Sequence, residues 1–141
     1  MPYAVLVERI IPVPRAKVFA TLMDFGAVAK LSAGGTDKVE CEGEGVGAIR
    51  TVHIKNLPTP VVERLDVACD GRVFAYSIIN DTALPLERYI AVVELADAPD
   101  GGCVVRWGSN WIAKGQPVEK VRKMLTQLYG TLIDGIVSVA A

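Results

Sequence analysis

Between residues 36 and 113 the chain repeats one pattern six times, a short run of alternating apolar and polar side chains followed by a turn. Alternation of period two places side chains on opposite faces of a strand, so this segment constrains the fold more than any other. The runs fall near 36–42, 46–55, 60–69, 72–80, 87–96 and 102–113. Gly43-Glu44-Gly45, Leu57-Pro58, Asp70-Gly71 and Pro99-Asp100-Gly101-Gly102 mark the turns between them. Asp70-Gly71 is a hairpin signal, because its turn type needs residues that tolerate positive φ. A further strand, rich in β-branched residues, is expected over 3–11, where Pro12 and Pro14 stop it. Seven strands with short connections form an antiparallel sheet wide enough to curl around something.

The object it curls around is also in the sequence. Residues 117–138 carry an apolar stripe at helical spacing, Val121, Met124, Leu125, Leu128, Leu132, Ile133 and Ile136, with Glu119, Lys120, Arg122 and Lys123 outside it. Two short helices are expected after the first strand. One covers 15–23, with Val18, Phe19 and Leu22 at helical spacing; the other covers 25–31 and ends at Gly34-Gly35. The reading is a single α+β domain over 1–141, a seven-stranded curved antiparallel sheet around one long C-terminal helix. A single helix need not fill the concave side, so a cavity between the two is expected.

Two charges sit on the wrong face for an ordinary core. In the strand Ala48-Arg50-Val52-Ile54 the alternate set Ile49-Thr51-His53-Lys55 is the more polar, which leaves Arg50 facing inward. In Val61-Glu63-Leu65-Val67 the alternate set Val62-Arg64-Asp66 carries two charges, which leaves Glu63 facing inward. Buried charges of opposite sign are tolerated when they pair or border a polar cavity. The interior is therefore a candidate binding site, with a structural ion pair as the competing reading.

Other classes of function find little support. A net charge of −1 provides no electrostatic footprint for nucleic acid. No run of about 18 apolar residues exists to span a membrane, and the first ten residues lack the basic and apolar regions of a signal peptide. Cys41, Cys69 and Cys103 are odd in number and widely spaced. They fit a reducing compartment and small, half-buried strand positions better than a disulfide framework or a zinc site. A cytoplasmic address with no metal and no cofactor follows. His53, the only histidine, turns outward and is read as solvated. Gly43-Glu44-Gly45-Val46-Gly47 lacks the following helix that a nucleotide-binding glycine loop requires.

The order of elements resembles the helix-grip fold of the START/Bet v1-like (SRPBCC) superfamily, which includes polyketide cyclases, lipid-transfer domains and plant hormone receptors. The resemblance covers essentially the whole chain. Gly45-Val46-Gly47 before Arg50, Val62-Glu63-Arg64-Leu65-Asp66, the run from Phe74 to Ile79, and Tyr89 look similar to the abscisic acid receptor branch and its bacterial relatives. That resemblance implies pocket roles for Arg50, Glu63 and Tyr89, and a gate loop at Asn56-Leu57-Pro58-Thr59, with Asn where the family has Gly. The receptors' latch falls on Leu84-Pro85-Leu86, of which only one Leu is kept. This departure argues against abscisic acid and against a phosphatase partner. Lys30 lies near the family's carboxylate-binding lysine but aligns with it only across a gap.

The resulting expectation is binding of a small hydrophobic or amphipathic molecule between the sheet and the last helix. Apolar walls are expected from Val52, Ile54, Val61, Phe74, Tyr76 and Ile78, with Trp107, Trp111, Leu128 and Leu132 opposite. The aromatic residues among them are equally readable as core. Arg50, Glu63 and Tyr89 would orient the ligand, and loops around Leu57-Pro58 and Leu84-Pro85-Leu86 would cover it. The alternative is a cyclase, aromatase or dehydratase using Glu63 with Arg50 or Tyr76. An arginine beside a carboxylate favours its charged form, which suits an acceptor better than an acid. The sequence leaves a monomer and a homodimer equally open.

Overall fold

The computed structural model describes residues 3–140. Seven strands, β1 (Val5–Ile11), β2 (Thr36–Glu42), β3 (Ile49–Ile54), β4 (Val61–Cys69), β5 (Val73–Ile78), β6 (Leu86–Asp97) and β7 (Cys103–Ala113), form one antiparallel sheet. Its order is β1-β7-β6-β5-β4-β3-β2, so β1 and β2, consecutive in the chain, lie on opposite edges. Helix α1 (Arg15–Met23) and a 3₁₀ helix (Phe25–Leu31) make the crossing between those edges. The long helix α2 (Val118–Ala140) packs on the 3₁₀ helix, α1, β1 and β7. This is the α+β helix-grip arrangement, with strand ends within three residues of the expected ranges and β6 (Leu86–Asp97) one residue longer at each end.

The face that α2 buries differs from the expected stripe. Val121, Leu125, Tyr129, Leu132, Ile133 and Ile136 are buried, whereas Leu128 is 40% exposed. Tyr129 lies at the centre of the stripe by helical period, but its phenol is polar and reads as neutral in a hydropathy pattern. Gly135 lets the helix approach its neighbour. A Cβ there would stand 2.5 Å from the Leu31 Cα and carbonyl oxygen, too close for any side chain.

Register shifts interrupt β2, β4 and β6, and those in β4 and β6 change which residues face inward. In β4 the register shifts between Leu65 and Val67, so Val61, Glu63 and Leu65 face the helix but Val67 does not. Val67 is 40% exposed, which corrects the inward position expected for it. In β6 the shift lies between Glu87 and Ile90, with Arg88 at φ 55°. Strict alternation would put Leu86 and Tyr89 on opposite faces; the extra residue lets both point inward. The cysteines also differ from expectation. Cys41 and Cys69 are exposed and only Cys103 is buried, because the first sits on the edge strand and the second at a strand end.

Candidate functional site

Arg50 and Glu63 are direct cross-strand neighbours on β3 and β4. Arg50 Nε donates to Glu63 Oε1 at 2.7 Å, with side-chain exposures of 7% and 13%. Arg50 Nη1 donates to the carbonyl oxygen of Phe25 at 3.1 Å, at the start of the 3₁₀ helix. The guanidinium also lies 3.9 Å from the centroid of the Phe25 ring and 5.0 Å from that of Tyr76. Four groups on three elements thus fix one side chain. The paired carboxylate and the two ring faces each compensate the loss of water around the cation.

Beside this pair is a cavity of about 290 Å³ between sheet and helix. The sheet contributes Arg50, Val52, Ile54, Val61, Glu63, Tyr76, Ile78, Leu86 and Tyr89, and α2 contributes Met124, Leu125, Leu128 and Leu132. Val28, Ser32, Gly35, Thr36 and Leu84 complete the lining. Among the described residues, Arg50 and Glu63 are the only charged ones in its lining.

Behind the cavity the aromatic residues form a continuous layer. Phe74 meets Phe25 edge-on at 6.1 Å, and Tyr76 lies 6.0–6.4 Å from Phe74, Tyr89 and Trp107. Trp107 stacks on Tyr129 at 5.7 Å. Trp107 Nε1 donates to the Tyr76 hydroxyl at 3.3 Å, and the Tyr89 and Tyr129 hydroxyls are hydrogen-bonded to each other. Burial pushes the Tyr76 phenol up to about 12, with the Glu63 charge adding to the rise and the Arg50 charge opposing it. Burial also raises Tyr89 and Tyr129 well above the ordinary phenol value. All three therefore stay protonated at neutral pH and can serve as hydrogen-bond donors.

Not every expected residue borders the cavity. Phe74 and Trp107 lie in the packed layer behind it, where each is almost fully buried by its neighbours. Trp111 is half-buried near the end of β7, outside the lining. Leu57 and Pro58 are also outside it, although Ile54 and Val61, which flank their loop, are lining residues. The loop turns sharply at Asn56, with φ 64°, and Leu57 N–H bonds back to Ile54 at 3.2 Å. Of the second loop, Leu84 and Leu86 do line the cavity. Lys30 sits in a separate outer groove with Asp24 and Val139. His53 faces outward and lies 2.8 Å from Glu40 on β2.

Several lining residues carried no signal in the sequence. Ser32 and Gly35 come from an irregular turn with no period to read, Thr36 opens the edge strand β2, and Met124 and Leu125 are indistinguishable from core. A second hollow of about 450 Å³ lies beside the 79–82 segment and the Arg88 bulge, sharing Ile78, Leu86 and Tyr89 with the cavity. Its other lining is mostly polar, including Asp81, Glu87, Arg88 and Lys114.

Residues 4–140 match the family described as polyketide cyclase/dehydrase and lipid transport. The chain belongs to this family. Its members share a ligand-binding fold. Solved structures show the same architecture at low identity. XoxI from Bacillus cereus aligns over 96% of this chain and 94% of its own, with 15% identity and a TM-score of 0.82. An uncharacterized protein from Bacillus thuringiensis covers 96% of each chain at 16% identity and a TM-score of 0.79. A protein from Nitrosospira multiformis covers 97% and 95% at 14% identity and a TM-score of 0.73. A search of curated proteins finds no match. At these identities the solved structures establish the fold of this family member alone. Among the described residues no helix is long and apolar enough to cross a membrane.

Proposed function

We propose that the protein binds a small hydrophobic or amphipathic molecule in the cavity between the curved sheet and α2. The observation that carries this reading is an apolar cavity of about 290 Å³ whose one charged feature is a fixed Arg50–Glu63 pair in its wall. A purely structural ion pair would be expected in close packing; here hydrophobic space adjoins it. The volume corresponds to roughly ten water molecules at the ~30 Å³ each occupies in the liquid. It lies near the lower end of the ~300–1,000 Å³ typical of ligand pockets, which favours a compact ligand over a long acyl chain. Arg50, Glu63 and Tyr89 would take the polar end, with Val52, Val61, Leu125 and Leu132 around the apolar part. The loop that carries Leu84, ahead of Leu86 on β6, would act as one cover, since both residues line the cavity. The 55–60 loop is the second candidate cover, and its role depends on movement toward the mouth.

Native mass spectrometry of protein purified from its source tests the reading through any co-purified small molecule. Binding of the uncharged probe N-phenyl-1-naphthylamine, and its loss in Val61→Trp, is the complementary assay. Unchanged probe binding when the cavity is filled this way would contradict the proposal.

A second reading, turnover of a carbonyl compound, is favoured by one observation. Glu63 and the protonated Tyr76 phenol both border the cavity, so an acceptor and a donor face the same space. Under that reading Glu63→Gln keeps binding and abolishes product formation; undiminished turnover would exclude Glu63 as its base.

A further inference from the structure

The charge balance of the cavity restricts what it can hold, given the binding reading above. Among the described residues, Arg50 and Glu63 are the only charged ones in its lining, they are bonded at 2.7 Å, and their charges cancel. The remaining contacts of the guanidinium are a backbone carbonyl and two aromatic faces, none of which carries charge. Lys30, the cation nearest in sequence to where the resemblance would place a carboxylate anchor, lines the outer groove instead. An ionised ligand would therefore enter a low-dielectric space as a third, unmatched charge. It would have to break the pair or remain uncompensated, and each course carries a heavy desolvation penalty.

The hydrogen-bonding capacity of the pair is not exhausted by this cancellation. Among the described residues, the bonds of the pair use Nε and Nη1 of Arg50 and Oε1 of Glu63. Nη2 has two further donors and Oε2 is an acceptor. Tyr89 also borders the cavity, with its hydroxyl hydrogen-bonded to that of Tyr129. A group that both accepts and donates without carrying charge, such as a hydroxyl or an amide, matches these atoms.

We propose that the ligand is an uncharged molecule with a hydroxyl- or amide-type polar end, and that the cavity discriminates against carboxylates and amines of the same shape. Charge neutrality of the Arg50–Glu63 pair is the source of that selectivity.

The test is displacement of bound N-phenyl-1-naphthylamine at pH 7 by 1-octanol, octanamide, octanoate and octylammonium. The two uncharged compounds are expected to compete at least tenfold better than either ion. Glu63→Gln leaves the guanidinium uncompensated and is expected to shift preference toward octanoate by at least tenfold relative to octanol. Octanoate competing as well as octanol in the unmodified protein would overturn the neutral-ligand inference while leaving the binding reading standing. Failure of the probe itself to bind, together with no co-purified molecule, would overturn both. If Glu63→Gln does not fold, the comparison of the four compounds on the unmodified protein decides alone.

Discussion

Glu63 illustrates how one residue can be costly and useful at once. Its carboxylate offsets the buried Arg50 charge and borders the cavity. Glu63→Ala removes the partner and leaves an uncompensated cation, so unfolding stability is expected to fall by about 3 kcal/mol. Chemical denaturation measures this, and a loss under about 1 kcal/mol would mean that cavity water solvates Arg50 well enough alone. The tyrosines give a second prediction. Tyr76, Tyr89 and Tyr129 have phenols raised by burial, Tyr76 to about 12. A group whose folded value lies above its unfolded value stabilises the fold fully below the unfolded value, near pH 10 for tyrosine. That contribution is lost as pH rises through the folded value. Stability is therefore expected to decline from about pH 10 upward, with most tyrosinate absorbance at 295 nm appearing together with unfolding. Three of the four tyrosines ionising near pH 10 in folded protein would contradict the burial of this layer.

Single elements show where pattern reading succeeds and where it stops. Arg50 and Glu63 could be placed inward because the local stretches of β3 and β4 around them alternate regularly. Val67 could not, because the bulge after Leu65 reverses parity and no residue type announces it. Leu86 and Tyr89 share a face only through the Arg88 bulge. Long-period features, the helical stripe and the alternating runs, were legible since each repeats over many residues. The turn at 32–36 and the mouth it builds were not, being set by tertiary packing. Gly135 is the junction that holds this mouth, through its contact with Leu31. Gly135→Ala would force the helix away from the 3₁₀ helix and is expected to cost about 1–3 kcal/mol. It should also raise hydrogen exchange over residues 25–36; unchanged exchange and stability would mean that the helix shifts without consequence.

At the scale of the whole molecule, seven strands and one helix enclose more volume than the helix fills. Family membership accounts for the architecture, and the cavity accounts for the charges that no ordinary core would keep. The aromatic layer of Phe74, Trp107 and Tyr129 lies outside the cavity lining, and under the binding proposal it would limit the site to compact ligands. Phe74 and Trp107 could not be assigned to floor or wall from sequence, because both are concave-face positions of the strands.

The most direct measurement is a methyl-resolved NMR titration with 1-octanol. Saturable shifts are expected at methyls of the cavity lining, Val52, Val61, Leu125 and Leu132 among them, with outward-facing Val67 and Ile10 unmoved. Shifts concentrated on the outer face, or none at any of the cavity methyls, would contradict the binding proposal.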